Sequence, residues 1–205
     1  MEADDETDTE AETTDPTLDG DAMRNFPVPD FADLPGDLQE RIAGETERAG
    51  FTPNVFAGFA YKPSHFRAFF DYHDALVDDT ALDREEVEMI VVAVSGVNHC
   101  YYCNVAHGAL ARIYARSPKL ADQLVANYRT ADVSEKRKTM LDVAVKLTES
   151  PAAVTEADLD RLAEAGYSEE AMWDVASVTA FFNLSNRMAM FADMRPNDEF
   201  HTMGR

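Results

Sequence analysis

Traced by its apolar and polar positions, the chain divides into helix-length segments separated by turn residues. Asp37–Ala49 places Leu38 and Ile42 on one face at i, i+4, and Gly50 follows as a stop signal. Asn54–Tyr61 is a short apolar stretch closed by Pro63. Over Ser64–Val77, Phe66, Phe69, Phe70, His73, Leu76 and Val77 recur at the spacing of a helix face. Asp83 has the chemistry of an N-cap, and Glu85 and Glu86 in the next turn suit the positive end of a helix dipole. The segment Glu86–Val97 contains MIVVAV, which in isolation fits a buried strand; the acids at its start and the helical neighbours on both sides favour a buried helix. A further helix is predicted from near Cys100 to near Arg116, ended by Ser117-Pro118. Lys119–Tyr128, Glu135–Glu149, Glu156–Ala165 and Glu169–Asp193 complete the set, with Ser134, Thr155 and Ser168 as N-caps and Gly166 as a stop. No stretch sustains period-2 alternation, so the expectation is an all-α domain.

Charge narrows the function classes. The 205 residues carry 39 Asp and Glu against 18 Lys and Arg, a formal charge of -21. Nucleic-acid binding and docking on anionic membranes both draw on basic groups, and this balance argues against each. No run approaches the about 18 apolar residues of a membrane-spanning helix, and the acidic start does not resemble a signal peptide, which places the expected location in the cytoplasm. Residues 1–22 hold ten acids and no base, with almost nothing apolar, and are expected to form a disordered tail ahead of a single domain over 23–205. The acidic bias persists outside that tail, and only five of the 18 bases are Lys. We read this as a self-repelling surface adapted to high salt, where screening relieves the repulsion.

The two cysteines, Cys100 and Cys103, sit three apart in HCYYCNVAH. That count does not make a secreted disulfide framework. At a helix start, positions i and i+3 bring two sulfurs to one face within bonding range, and the free N–H groups there favour a thiolate. His107 follows four residues after Cys103, one turn along the same face, where an imidazole accepts a thiol proton directly or through one water. Glu88 lies twelve residues before Cys100; if its helix packs antiparallel to the next one, the carboxylate reaches the dithiol and orients the imidazole or relays protons. Other readings stand beside this one. CxxC is also a zinc half-site that His99 and His107 complete on paper, although one helix start is a poor cage for four tetrahedral ligands and there is no second CxxC. The cysteines also fit as small core residues, His107 as an ordinary helix histidine and Glu88 as a partly exposed carboxylate.

Glu88…Cys100-x-x-Cys103-x-x-x-His107 resembles the alkylhydroperoxidase D-like (AhpD-like) branch of the carboxymuconolactone decarboxylase superfamily. The wider text SGVNHCYYCNVAHGALAR is similar to its peroxidase-related subgroup. KRKTMLDVAVKLT, the stretch Phe181–Ala189 and the ending FHTMGR extend the resemblance to most of the chain from about residue 25. The resemblance implies an AhpD-like helical bundle with the CxxC at the N-terminus of a core helix, assembled as a trimer or hexamer. It implies a thiol-dependent peroxidase in which Cys103 is the peroxidatic thiolate and Cys100 resolves it to a disulfide. A dithiol or protein reductant then restores the pair. Glu88 and His107 carry the proton relay, with Cys100 along it, and no metal, haem or flavin is required.

One position departs from that pattern: where the best-known hydroperoxidases place a His directly before the second Cys, this chain has Tyr102. Tyr101 and Tyr102 either gate the site or pack, and Asn183, Asn186 and Arg187 either approach the site or an interface or satisfy buried hydrogen bonds. Beside the peroxidase stand a general protein disulfide oxidoreductase and a non-catalytic redox sensor or oligomeric scaffold. A γ-lactone decarboxylase is less attractive, since that chemistry does not need the dithiol.

Overall fold

The capping residues do what their chemistry requires. A computed structural model describes residues 16–205, and in it Ser134, Thr155 and Ser168 each precede a helix. The Ser134 and Ser168 hydroxyls accept from the N–H groups of Arg137 and Ala171 at 3.3 and 3.1 Å. Thr155 and Asp158, and likewise Asp83 and Glu86, form reciprocal capping boxes. Gly50 and Gly166 close their helices with φ of 80° and 89°, a region glycine enters without a Cβ penalty.

The helices are α1 (Gly36–Ala49), α2 (Asn54–Ala60), α3 (Pro63–Asp78), α4 (Arg84–Val97), α5 (Tyr101–Tyr114), α6 (Leu120–Asn127), α7 (Glu135–Glu149), α8 (Glu156–Glu164), α9 (Glu169–Ala192) and α10 (Glu199–Thr202). The fold is an all-α bundle, and MIVVAV is helical. Pro63 opens α3 rather than merely closing α2, because a missing N–H costs nothing in a first turn. The short α10 and three single 3₁₀ turns carry no periodic pattern long enough to read from sequence.

Helix α4 is the axis of the bundle: every residue from Glu86 to Ser95 is buried, and α5, α6, α7 and α9 pack around it. α4 and α5 run antiparallel, since the start of α4 meets the later part of α5 through Glu88 and His107 while its end meets the start of α5 through Ser95 and Asn104. The phenylalanines of α3 are core residues. Phe70 stacks on Phe56 at 4.4 Å, and Phe69 packs on Phe59 and Phe181 at 3.8 and 4.6 Å. What α9 leaves uncovered is a different set, with Trp173, Leu184, Met188 and Phe191 all exposed.

The packed region begins earlier than residue 23. Leu18 and Ala22 are buried, and the Arg195 N–H donates to the Ala22 carbonyl at 2.9 Å, so the stretch just ahead of residue 23 packs against the far end of the chain. Two apolar side chains and a bond to the far end of the chain outweigh the local acidity there. Residues 1–15, where most of that expectation falls, lie outside the described residues. Among the described residues no helix is long and apolar enough to cross a membrane.

Candidate functional site

The dithiol sits where the chain reverses between α4 and α5. His99 takes a left-handed φ of 57°, which turns the chain and puts Cys100 at the N-cap of α5, its N–H donating to the Ser95 carbonyl at 3.0 Å. From that position Cys100 Sγ accepts the N–H of Cys103 at 3.4 Å, the hydrogen bond of an N-cap made by sulfur. The two sulfurs are free thiols in hydrogen-bonding contact at 2.9 Å, and both residues are buried. Tyr102, Ala106, Ala109, Ala189, Met194 and Phe200 form the apolar wall around them.

Their electrostatics differ. The hydrogen bond from Cys103, aided by the N–H groups at the helix start and the Asn186 amide, holds the Cys100 thiol below the ordinary range despite its burial. Cys103 is pushed well above that range by its neighbour Cys100 and by burial. The two thiols are thus shifted in opposite directions by their mutual contact.

One turn along α5, His107 Nδ1 lies 2.9 Å from Glu88 Oε2. Glu88 is 1% exposed, and its other oxygen, Oε1, faces Arg84 Nη2 at 3.2 Å. Phe182 from α9 packs edge-on against the imidazole at 4.7 Å. His73 on α3 lies near enough to sense both Glu88 and His107, and burial holds it below the usual imidazole range. The structure thus makes two pairs out of the four sequence candidates, Cys100 with Cys103 and Glu88 with His107. Among the described residues no hydrogen bond joins His107 to either sulfur.

A polar network underlies the sulfurs. Asn186 is fully buried; its amide donates to Ser95 Oγ at 2.9 Å and its carbonyl accepts from Asn98 Nδ2 at 2.9 Å. Asn98 also donates to Asn183 Oδ1 at 3.0 Å, on which Arg187 in turn rests. Asn186 is therefore a satisfied buried group that also reaches the thiols, while the half-buried Asn183 supports it through Asn98. Ser95, Asn98 and Arg84 were not singled out from the sequence; the signals they offered were, for Ser95, polarity inside an apolar helix, for Asn98 its place at the turn, and for Arg84 its i, i+4 spacing to Glu88. Tyr102 is a packing residue: its buried hydroxyl accepts the Val55 N–H at the start of α2 at 3.0 Å. Tyr101 is exposed, beside His201 and Arg195.

His99 is exposed, and among the described residues no three His, Cys, Asp or Glu side chains are grouped to hold a metal. A cavity of about 320 Å³ beside α5 and α6 is lined by Asn104, Val105 and Phe200, and Phe200 is also part of the wall over the sulfurs.

The carboxymuconolactone decarboxylase family matches residues 63–119, the stretch that holds Glu88, both cysteines and His107. A peroxidase-related protein from Ralstonia eutropha JMP134, described as an alkylhydroperoxidase AhpD core, is 52% identical in sequence. The match covers 88% of this chain and 96% of that one, with a TM-score of 0.87. This chain belongs to the carboxymuconolactone decarboxylase superfamily. Within it, the AhpD-like, peroxidase-related subgroup also includes a protein from Silicibacter sp. TM1040, 37% identical over 94% of this chain and 100% of that one, with a TM-score of 0.85. The AhpD-like fold extends to a cysteine-to-alanine variant of the debrominase Bmp8 in complex with 2,3,4-tribromopyrrole, at 20% identity and a TM-score of 0.72 over 91% of this chain and 97% of that one. No curated protein matches significantly. Membership in this superfamily gives the chain a redox-active, oxidoreductase-type role, and the CxxC at the start of a core helix is the feature that carries it.

Proposed function

We propose that the protein is a thiol-dependent peroxidase that reduces small or organic hydroperoxides through Cys100 and Cys103. The observation that carries this reading is a reduced sulfur pair at 2.9 Å on a helix start, one turn from an imidazole held by a buried carboxylate. The separation must close to about 2.05 Å for a disulfide, a movement of under 1 Å. Burial of both sulfurs favours a small oxidant over a docked protein disulfide.

In the proposed cycle Cys103 passes its proton along Cys100 and a water to His107, and its thiolate attacks the distal oxygen of ROOH. The O–O bond breaks, a sulfenic acid forms, and the leaving alkoxide takes the proton from His107 to depart as ROH. Cys100 then displaces water from the sulfenic sulfur to give the Cys100–Cys103 disulfide. An external dithiol reduces that bond and is itself oxidised to a disulfide. The uncovered apolar face of α9 serves assembly into a homo-oligomer, and the acidic surface keeps the protein soluble in concentrated salt.

Thiol titration and mass spectrometry after one equivalent of cumene hydroperoxide test the reading, at low and at molar salt. The parent loses two thiols and gains an intramolecular bridge, Cys103→Ser does not oxidise, and Cys100→Ser stops at a trapped sulfenic acid. Exchange of the two mutant phenotypes assigns the attack to Cys100, the thiol held below the ordinary range, and leaves the dithiol chemistry standing. Parent-like peroxide consumption by both mutants refutes it. Oxidation that ends after one equivalent with dithiothreitol present identifies a sensor instead.

A further inference from the structure

The Glu88 carboxylate has two oxygens and two different partners. Oε2 meets the His107 Nδ1 at 2.9 Å, and Oε1 meets Arg84 Nη2 at 3.2 Å, one helical turn earlier on α4. With Glu88 1% exposed, its charge needs a partner, because an isolated buried carboxylate is costly. A neutral imidazole supplies one N–H and no charge, so the compensating cation is Arg84. The guanidinium also lies over the Tyr114 ring at 5.1 Å. Tyr114 is seven residues beyond His107 and so on the same side of α5, which ties Arg84 to both helices of the site.

Arg84 is poorly served in return. Its Nε and Nη1 are buried and have no hydrogen-bond partner. An arginine placed for stability keeps such donors in water or pairs them, and unmet donors of this kind gather where function sets the geometry.

We propose that Arg84 is the positioning residue of the dithiol site: by holding Oε1 of Glu88 it commits Oε2 to His107 Nδ1–H. The imidazole is then fixed in the tautomer whose Nε2 has its lone pair free. Nε2 has no protein partner among the described residues, so it is the nitrogen that accepts the thiol proton. On transfer the S–H bond breaks, sulfur keeps the electron pair, and the imidazolium carries Nδ1–H to Glu88 and a new Nε2–H. The alkoxide released when the O–O bond breaks takes that Nε2 proton and leaves as the alcohol, returning His107 to its neutral tautomer. The inference rests on the peroxidase reading and adds to it the residue that gives the relay its direction.

Histidine-labelled protein allows the tautomer to be read by long-range ¹H–¹⁵N NMR, with His107→Asn assigning the signal among the five histidines. In the parent, His107 shows one tautomer, protonated at Nδ1. Arg84→Met mixes the tautomers and slows peroxide-driven thiol loss at least about tenfold, since general acid–base help is worth ~10²–10⁴. Arg84→Lys restores the cation and regains most of both. A single Nδ1–H tautomer in Arg84→Met overturns the inference, whether or not the rate falls. If Arg84→Met fails to fold by circular dichroism, Arg84→Gln takes its place; if every substitution unfolds the protein, Arg84 is structural and the inference fails. A parent protein that peroxide does not oxidise refutes the peroxidase reading, and the tautomer measurement still decides the role of Arg84.

Discussion

Replacing Asn186 with Ala tests whether the amide beneath the sulfurs serves both stability and chemistry. The side chain is fully buried and makes bonds of 2.9 Å to Ser95 Oγ and from Asn98 Nδ2. Truncation leaves Ser95 without its donor, while Asn98 keeps Asn183 at 3.0 Å. One stranded buried group costs about 1–3 kcal/mol. The space left behind adds roughly 1 kcal/mol. At about 2–4 °C per kcal/mol for a chain of this size, the melting temperature falls by roughly 4–16 °C. The amide also favours both thiolates, so its loss moves the Cys100 thiol upward, with less thiolate at neutral pH. A hydrogen bond to a charged group is worth about 1.5–3 kcal/mol, which sets the slowing of iodoacetamide and peroxide reaction at about tenfold or more. Asn186→Leu fills the space without restoring the bonds, so it recovers part of the stability and none of the reactivity. A truncated variant that melts within a degree of the parent and reacts at the same rate refutes the reasoning.

Two further outcomes follow from the same geometry. Tyr102→Phe removes the acceptor of the Val55 N–H and is expected to cost about 1–3 kcal/mol in urea unfolding, with peroxide-driven thiol loss retained within about twofold, because that hydroxyl faces α2 and not the relay. The pH dependence of alkylation reports Cys100: a thiol held below its ordinary range is thiolate at lower pH, so the rate rises with pH through a midpoint below that of an ordinary cysteine and levels off above that midpoint. In Cys103→Ala the sulfur loses its principal hydrogen bond and the midpoint moves upward. A parent midpoint at or above the ordinary value contradicts the arrangement.

The parts of the fold that were legible are those written in local chemistry. Ser134, Thr155 and Ser168 mark helix starts because their hydroxyls serve N–H groups three residues on, a bond that needs no distant partner. The i, i+3, i+7 spacing of Cys100, Cys103 and His107 is local in the same sense. Glu88 was reachable because a short turn forces its helix back alongside α5. The partners of Asn98 and Asn186 were not legible, since they depend on packing: the two are 88 residues apart and meet only because α9 lies against the α4–α5 turn. Arg84 stands one turn before Glu88, a spacing the sequence does show, but only the structure reveals that its remaining donors are buried without partners. Leu18 and Ala22 were hidden for a related reason, their acidic surroundings outweighing two apolar residues whose partners lie at the other end of the chain.

The five residues ahead of Cys100 show how that turn is specified. Ser95 gives its carbonyl to the Cys100 N–H and its hydroxyl to Asn186. Gly96 lets α6 approach, since a Cβ there would lie 3.3 Å from the Val125 Cα, backbone that cannot give way as a side-chain end can. Val97 packs against the main core, and Asn98 bridges to Asn183 and Asn186 of α9. His99 takes the left-handed conformation, which histidine accepts more readily than β-branched residues do. Three helices thus converge on one reversal, so the register that faces Cys100 with Cys103 also fixes how far along α5 His107 meets Glu88. A substitution at Gly96 or Asn98 therefore disturbs the sulfur pair and the imidazole–carboxylate pair together, although neither residue touches a reacting atom.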